Sequence, residues 1–327
     1  MKNKILFGTI LILITFCSIN TTYGLENDRY INYNNIEMTA EQFNNLKNLG
    51  FDDNQIAEMD LEEFNKNKDL IGQVVSQTTK YYKTVKFSNN NTLNYLSRLN
   101  NDSMVITTEI TEEEYESNND YVIQPFENKP GITDITKQKL VTTIVAVNGR
   151  YRLKTDHTWK DHPTARYYDV IAIGIDATVS GIPDTKYFKQ SWTEHNECDK
   201  VSYRRTSTSG TWTISSSGYG VKFKLPVEKS QCGSYTPPFG TPIFQFKKNQ
   251  FLTSYMYFEI NKLTSPINTI NAYGDYAHAI KSIDLNFVWG FTIGSGGAGV
   301  GITIEASNST KFDHIDVAQA YWNELNW

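Results

Sequence analysis

Apolar residues between positions 39 and 69 recur at the spacing of an α-helix. The apolar positions are Phe43, Leu46, Leu49, Phe51, Ile56, Met59 and Phe64. Thr39 with Gln42 forms a capping-box signature before the first of them, and Asp60 with Glu63 marks a later helix start. The pattern predicts a helical hairpin or a three-helix unit. So short a segment cannot form a core alone, so we expect its stripe to pack within the unit and on the next segment, or to dock another protein.

From residue 136 onward the hydrophobic period becomes the two-residue period of β-strands. Asn148-Gly149 lies between two β-branched and aromatic runs, which is a strong signal for a two-residue hairpin turn. Further strands are predicted at 167–179, 187–192, 207–215, 220–225, 243–246, 251–260 and 268–273. This spacing predicts a mainly β protein, an antiparallel β-sandwich of about 8 to 11 strands with a small N-terminal helical segment. The tail from residue 313 is predicted to close with a short helix.

Charge divides the chain more clearly than length does. Residues 25–135 hold 20 Asp and Glu against 9 Lys and Arg, while residues 136–327 hold 16 against 20, so the net charges are −11 and +4. Residues 117–135 contain prolines, a glycine and no hydrophobic period, which is typical of a linker. We therefore expect an acidic N-terminal region over 25–135, with helices at 39–69, followed by a β-sandwich over 136–327. A charge of +4 spread over that length is too dilute for nucleic-acid binding.

The first 24 residues have the order of a secretory signal peptide. Lys2 and Lys4 precede an apolar run over 5–16, which at about 12 residues is shorter than the roughly 20 that a membrane-spanning helix needs. Small residues precede a cleavage point near Gly24. The sequence predicts a secreted, extracellular protein with this peptide removed. A lipid anchor on Cys17 is the weaker alternative, because Phe16 before it is large.

Two cysteines, Cys198 and Cys232, remain after this cleavage. In an oxidising compartment we expect them to form one disulfide bond, with two separate free thiols as the alternative. Such a bond would stabilise the fold by roughly 3 to 4 kcal/mol in the chain-entropy model.

A glycine-rich loop joins two alternating runs within residues 283–306. The residues of interest are Phe287, Trp289, Phe291, Gly294, Gly296, Gly297 and Gly299. Although GSGGAG matches G-x-G-x-x-G, a period-two strand follows it where a dinucleotide site needs a helix, so no nucleotide cofactor is expected. The pattern predicts a β-hairpin whose apolar face belongs to the core. A hairpin that inserts into a membrane or meets a ligand is the sharper alternative.

Signatures of catalysis and metal binding are weak. His157 and His162 flank Trp159 among aspartates, but no third ligand is identifiable among His195, His278 and His314, so a structural or surface role is favoured over a metal site. No nucleophile elbow or zinc-protease motif is present. The sequence therefore names no catalytic residue, no metal ligand and no cofactor, and it favours a non-enzymatic protein over an enzyme. The many tyrosines and tryptophans fit core and cross-strand pairs, with a sugar-stacking surface as the alternative.

Three stretches carry a resemblance to a known group of proteins. They are IEMTAEQFNNLKNLGFDDNQIAEMDLEEFNKNKDLIG at 36–72, YRLKTDHTWKDHPTARYYDVIAIGID at 151–176 and NAYGDYAHA at 271–279. Together they resemble a family of uncharacterised secreted, β-rich proteins of low-GC Gram-positive bacteria. The resemblance implies export and a strand-rich fold, and it implies no activity.

These features support two hypotheses of function. The first is a secreted, non-enzymatic protein that binds a cell-surface or extracellular ligand, such as a cell-wall glycan. The second is a membrane-active, pore-forming toxin or bacteriocin-like protein in which 283–306 inserts and the acidic residues 25–135 act as a pro-segment. The ligand, further processing and the oligomeric state are not readable from the sequence.

Overall fold

The computed structural model describes residues 29–88, 104–117, 131–227, 229–238, 241–263, 267–281, 288–293, 300–305 and 311–325. The helices are α1 (Ala40–Asn48), α2 (Asp53–Ala57), α3 (Leu61–Asn67) and α4 (Glu112–Glu116). The strands are β1 (Arg29–Ile31), β2 (Glu37–Thr39), β3 (Gly72–Ser88), β4 (Met104–Ile110), β5 (Gly131–Val147), β6 (Arg150–Trp159), β7 (Tyr168–Ile175), β8 (Val179–Gly181), β9 (Tyr187–Asn196), β10 (Val201–Ser207), β11 (Thr211–Ser215), β12 (Gly218–Lys224), β13 (Lys229–Tyr235), β14 (Ile243–Lys262), β15 (Ile270–Ala279), β16 (Trp289–Ile293), β17 (Val300–Ile304), β18 (Phe312–His314) and β19 (Ala318–Trp322). The proposed signal peptide lies outside the described residues.

Two antiparallel sheets form the β-sandwich that the strand pattern predicts. The large sheet has the order β10-β9-β14-β6-β5-β3-β4, with β8 and β13 also paired to β14. The small sheet has the order β11-β12-β7-β15-β18, with β19 also paired to β15. Their facing side chains form the main core, which includes Leu140, Ile144, Leu153, Ile171, Ile173, Met256, Phe258 and Tyr276. Two further layers, one helical and one a hairpin, cover the outer faces of the two sheets.

The N-terminal helical unit, α1 to α3, forms as the capping signals predict. Thr39 accepts the backbone N–H of Gln42, and the Gln42 side chain accepts the backbone N–H of Thr39, so the capping box is confirmed. Asp52 caps α2 in the same reciprocal way, and Asp60 caps α3 by accepting the backbone N–H of Glu63. These caps satisfy backbone donors that a short helix cannot satisfy itself.

The apolar stripe of the unit is buried on the outer face of the large sheet. Leu46, Leu49, Phe51, Ile56 and Met59 pack against Val145, Val147, Tyr187, Tyr255 and Tyr257. Each such side chain, fully buried, contributes about 1.5 to 3 kcal/mol. The surface that buries the stripe therefore belongs to the distant strands β5, β9 and β14, together with the segment that directly follows the unit.

Charged groups are buried beneath the same unit. Lys189 of β9 has its Nζ 2.6 Å from Oε2 of Glu63 and 3.3 Å from Oδ2 of Asp60, and both Lys189 and Glu63 are excluded from solvent. The hydroxyl of Tyr255 donates to Oε1 of Glu63 at 2.6 Å. Burial raises the pKa of Glu63, and the neighbouring Lys189 charge opposes that rise. The pair ties the helical unit to the sheet electrostatically.

Two other buried cations of the sheet reach the helical unit through amides. Lys154 donates to Oε1 of Gln55 at 3.0 Å and also pairs with Asp156. Arg152 donates to Oδ1 of Asn67 at 2.6 Å. The unit thus contributes acids and amides, and the sheet contributes most of the cations.

The domain boundary expected at residue 135 is wrong, because it falls inside β5. Residues 131–147 form that single strand, which pairs with β3 from Gly72↔Val147 to Ser88↔Gly131. The strands β3 and β4, placed by the sequence in an acidic N-terminal region, belong to the large sheet. Of the expected linker over 117–135, residues 118–130 lie outside the described residues. The acidic charge of the first part of the chain therefore does not mark a separate domain.

Several strand predictions are confirmed and others need correction. Asn148 and Gly149 form the predicted turn between β5 and β6, with φ of 46° and 75°. The two strands expected at 243–246 and 251–260 are one strand, β14. The strand continues through an irregularity in its pairing with β9, where Phe251 takes a positive φ of 53°. The tail forms β18 and β19 in place of the expected helix. From β5 to β19 the described residues contain fifteen strands, more than the 8 to 11 expected.

The expected disulfide bond between Cys198 and Cys232 is confirmed. Their Cα atoms are 6.3 Å apart, within the range that the bond requires. The bond joins the turn after β9 to β13 at the end of the large sheet, where β10 is exposed on both faces.

Candidate functional site

An open groove of about 720 Å³ lies at the end of the large sheet where β5 turns into β6. Its walls include Gln73 of β3, Arg150 of β6, Trp322 at the end of β19 and Glu324 just beyond it. Trp322 is partly buried, and its indole N–H donates to the carbonyl oxygen of Glu324 at 3.0 Å. An aromatic ring, a guanidinium group, a carboxylate and an amide therefore border one concavity.

The backbone around this groove is held in place by hydrogen bonds. The backbone N–H of Asn148 donates to the carbonyl oxygen of Ile71 at 3.2 Å, and the N–H of Ile71 donates to Oδ1 of Asn148 at 3.3 Å. The hairpin turn is thus joined to the segment before β3. In contrast, Arg150 is half exposed, and its ion pair with Glu259 is long, with 3.8 Å between Nη1 and Oε2. Its guanidinium group can turn towards a ligand while the backbone stays fixed.

The predicted hairpin within 283–306 forms as β16 and β17 and pairs with no other strand in the described part of the chain. Trp289 lies opposite Ile304 and Phe291 opposite Ile302. Trp289 is buried and Phe291 partly buried, while Phe287, Gly294, Gly296, Gly297 and Gly299 lie outside the described residues. The apolar face of the hairpin therefore packs against its own protein in this state.

The hairpin packs on the outer face of the small sheet, where most side chains are small. The packing partners are Val170, Ala172, Ala277, Ala279 and the larger Phe312. A Cβ atom at Gly220 would lie 2.5 Å from the Trp289 ring, so only glycine leaves room for the indole there. The hairpin sequence does not indicate this packing surface, because the small residues that form it belong to distant strands.

One buried carboxylate anchors the hairpin. Oδ2 of Asp275 on β15 accepts the backbone N–H of Ile302 at 2.5 Å, and Oδ1 accepts the N–H of Tyr276 at 2.7 Å. Burial raises the pKa of Asp275 to about 7, although both hydrogen bonds favour the charged form and lower it. Docking of the hairpin is therefore coupled to a group that titrates near neutral pH.

A polar cluster lies at the opposite end of β3, β5 and β6 from the groove. Nδ1 of His278 is 2.8 Å from Oδ1 of Asp169, whose other oxygen accepts the hydroxyl of Tyr276. The Trp159 indole N–H donates to the same hydroxyl at 3.2 Å. Oδ1 of Asp313 accepts the hydroxyl of Thr107 at 2.6 Å. Because β15 lies between β7 and β18, His278 stands opposite Asp169 of β7 and opposite Asp313 of β18 in the strand register.

The histidines near residue 160 do not converge on a metal site. His157 stacks on Tyr276 with ring centroids 3.4 Å apart and shares a hydrogen bond with Gln138 at 2.8 Å. Burial lowers the pKa of His157 well below its ordinary value. His195 contacts Ser202 at 3.0 Å, far along β9. Within the described ranges, no three His, Cys, Asp or Glu side chains are placed to hold a metal ion.

Neither the groove nor the polar cluster around His278 could be predicted from the sequence. Trp322 lies in a tail whose pattern predicts a helix, and Gln73 and Arg150 carry no motif. Asp169, His278 and Asp313 are more than thirty residues apart from one another along the chain, and only strand pairing brings them together. The single usable signal was the Asn148-Gly149 turn, which fixes one edge of the groove.

Comparison with known proteins adds no function. In the described residues, none of the helices has the length and apolar character that crossing a membrane requires. The chain matches no model of a known protein family, and no curated protein is significantly similar to it.

Proposed function

We propose that this chain is a secreted, non-enzymatic protein that binds an oligosaccharide of a cell surface in the groove bordered by Trp322. The observation that carries the proposal is the groove itself, whose volume of about 720 Å³ lies within the range of roughly 300 to 1,000 Å³ typical of small-ligand sites. An open groove at the end of a rigid sandwich suits a ligand that is one part of a larger polymer.

The chemistry of the groove fits a sugar. An indole ring such as that of Trp322 offers a flat apolar face to the C–H face of a pyranose, while its N–H stays hydrogen-bonded. Arg150, Glu324 and Gln73 supply donors and acceptors for hydroxyl groups, and Arg150 can also meet a carboxylate. The signal-like N-terminus and the disulfide bond support an extracellular place of action.

The test is binding of the mature chain, residues 25–327, to an array of bacterial cell-wall and host glycans, followed by titration of the strongest oligosaccharide. We expect Trp322→Ala to weaken this binding by about 5- to 150-fold, which corresponds to a stacking contribution of about 1 to 3 kcal/mol, the size found for a nucleobase on an aromatic ring. Tyr321→Ala is the matched control, since Tyr321 is an exposed neighbouring aromatic residue that does not border the groove. Equal effects of the two substitutions would contradict the proposal.

A second function, membrane activity of the β16–β17 hairpin, is favoured by one observation. The hairpin is a separate two-stranded sheet held on an apolar seat, so it could leave as a unit. A Cβ at Gly301 would lie 3.5 Å from Cγ2 of Val317, so Gly301→Cys with Val317→Cys can form a locking disulfide. Liposome leakage that the oxidised double variant loses and the reduced one keeps would support insertion. Leakage that survives the lock would exclude it.

The role of residues 25–135 as a removable pro-segment needs revision under this second function. Cleavage at residue 135 would strip β5 of its partner β3 along most of its length. The stretch 29–70, which contains β1, β2 and the helical unit, packs on the large sheet without supplying a strand to it. A releasable segment would therefore end near residue 70.

A further inference from the structure

Three side chains meet where α2 of the helical unit lies on the large sheet. Nζ of Lys154 lies 3.0 Å from Oε1 of Gln55 and also donates to Oδ1 of Asp156. Nε2 of Gln55 donates to that same carboxylate oxygen at 2.5 Å. One oxygen of Asp156 therefore contacts both the amine nitrogen of a lysine and the amide nitrogen of a glutamine.

The local structure fixes each of these groups. Gln55 is the third residue of α2, and its reciprocal cap with Asp52 holds the side chain, since Oε1 accepts the backbone N–H of Asp52 at 3.1 Å. Lys154 and Asp156 are two positions apart on β6, so both side chains lie on the outer face of the large sheet. Gln55 and Lys154 are 99 positions apart along the chain, and packing of the unit on the sheet brings them together.

Little water reaches this cluster. The Lys154 side chain is 1% exposed, and its Nζ lies 5.5 Å from the ring centroid of Phe51 and 5.2 Å from that of Tyr255. Burial raises the pKa of Asp156, although the charge of Lys154 opposes that rise. Because charges away from water are costly, moving one proton from Nζ to Oδ1 removes two of them at once.

We propose that Lys154 and Gln55 form an intramolecular isopeptide bond, with Asp156 acting first as general base and then as general acid. Oδ1 of Asp156 takes a proton from the ammonium group, and the neutral amine attacks Cδ of Gln55. Negative charge develops on Oε1, to which the backbone N–H of Asp52 already donates. Nucleophile, base and oxyanion donor are therefore in place together.

The same carboxylate then serves the leaving group. Asp156 passes its proton to Nε2 of Gln55, the Cδ–Nε2 bond breaks, and ammonia leaves. A second proton of Nζ moves to Asp156 and from there to solvent, where ammonia takes it up as ammonium. The net change converts a lysine ammonium and a primary amide into a secondary amide and one ammonium ion, so no oxidant or co-reactant is needed.

Positioning makes this exchange feasible at a bond that is otherwise inert. Well-oriented intramolecular reactions reach effective concentrations of about 10⁵ to 10⁸ M. The product would tie the helical unit covalently to β6, so residues 29–70 would stay attached even after cleavage near residue 70. The proposal does not depend on the function of the groove.

The direct test is the mass of residues 25–327 after folding, denaturation and reduction of the disulfide bond, followed by tryptic mapping. We expect the mass to lie below that of the linear chain by one ammonia molecule. The digest should contain a branched peptide that joins 48–66 to 153–160, because trypsin does not cleave after an acylated lysine. A succinimide at Asn148-Gly149 would lose the same mass but would leave the two peptides separate.

Substitutions separate the roles of the groups. Lys154→Arg keeps a positive charge beside Asp156 but removes the nucleophile, because a guanidinium group stays protonated, so both the mass loss and the branched peptide should disappear. Lys66→Met, at an exposed lysine of α3, is the control and should keep both. In chain newly made by cell-free synthesis, Asp156→Ala should slow the appearance of the branched peptide by about 10²- to 10⁴-fold, the usual contribution of general acid–base catalysis.

Three results would overturn the proposal. The first is folded wild-type chain that has the full linear mass and yields 48–66 and 155–160 as separate peptides. That result requires no variant, so it holds whether or not a substituted chain folds. The second is loss of one ammonia molecule that persists in Lys154→Arg, which would place the reaction elsewhere. The third is an unchanged rate in Asp156→Ala, which would contradict its part as base and acid.

Discussion

Replacing Lys189 by Met should destabilise the protein in a pH-dependent way. The substitution keeps most of the side-chain volume but removes the cation 2.6 Å from Oε2 of Glu63. Glu63 is fully buried, so it cannot recover hydration and must hold a proton in the folded chain. The Tyr255 hydroxyl can still donate to Oε1, while the carbonyl oxygen of Glu58 loses the Lys189 ammonium group as its donor.

The size of the effect follows from the pKa of Glu63. Holding a carboxyl with an ordinary pKa of 4.5 in its neutral form at pH 7 costs about 3 kcal/mol, at about 1.4 kcal/mol per pH unit. Because the folded-state pKa then exceeds the unfolded value, the loss of stability grows as the pH rises. It shrinks as the pH falls towards 4.5, where the unfolded chain is protonated as well.

Urea unfolding of residues 25–327 at pH 5, 6 and 7 measures this slope. Lys66→Met is the control, because its partner Glu62 is exposed and such pairs contribute only about 0 to 1 kcal/mol. In the double variant Glu63→Gln/Lys189→Met the slope should vanish. If Lys189→Met matched Lys66→Met in both size and pH dependence, the helical unit would not be docked through a buried ion pair.

Three further predictions concern the turn, the disulfide and the hairpin. Gly149→Ala should cost about 1 kcal/mol because φ is +75°, whereas Gly290→Ala, which also meets open space but has no positive φ, should cost less; equal losses in urea unfolding would contradict the turn geometry. Reduction of Cys198–Cys232 should lower stability by about 3 to 4 kcal/mol, and calorimetry with no shift on reduction would oppose this. Because the folded-state pKa of Asp275 is raised to about 7, stability should fall by about 1 kcal/mol from pH 6 to 8, and Asp275→Asn should remove that slope; a slope retained in the variant would assign it to other groups.

The local elements were predictable because their signals are local. Thr39 with Gln42 and Asn148 with Gly149 act within a few residues, so capping and turn chemistry appear directly in the sequence. The β-sandwich followed from the period of the strands. By contrast, composition misplaced the domain boundary, since the acidic residues of 25–135 lie almost entirely outside β3 and β4 and say nothing about which sheet these strands join.

The site residues could not be predicted because pairing between distant strands creates them. Nothing near His278 in the sequence indicates Asp169 or Asp313, and nothing near Trp322 indicates Arg150. The buried Lys189–Glu63 pair escaped detection for the same reason, since charged residues in a strand ordinarily indicate a solvent-facing side. The positive φ of Phe251 likewise hid the continuity of β14, because a bulge interrupts the alternation that marks a strand.

Oligosaccharide binding in the groove is tested most directly by NMR of the tryptophan indole N–H signals. The chain has six tryptophans, and Trp322→Phe assigns the signal of interest. When the oligosaccharide that binds most tightly on the glycan array is added, we expect a saturable shift of the Trp322 signal. The signals of Trp159 and Trp289 should not move. An unmoved Trp322 signal at saturation would place the binding elsewhere and contradict the proposed function.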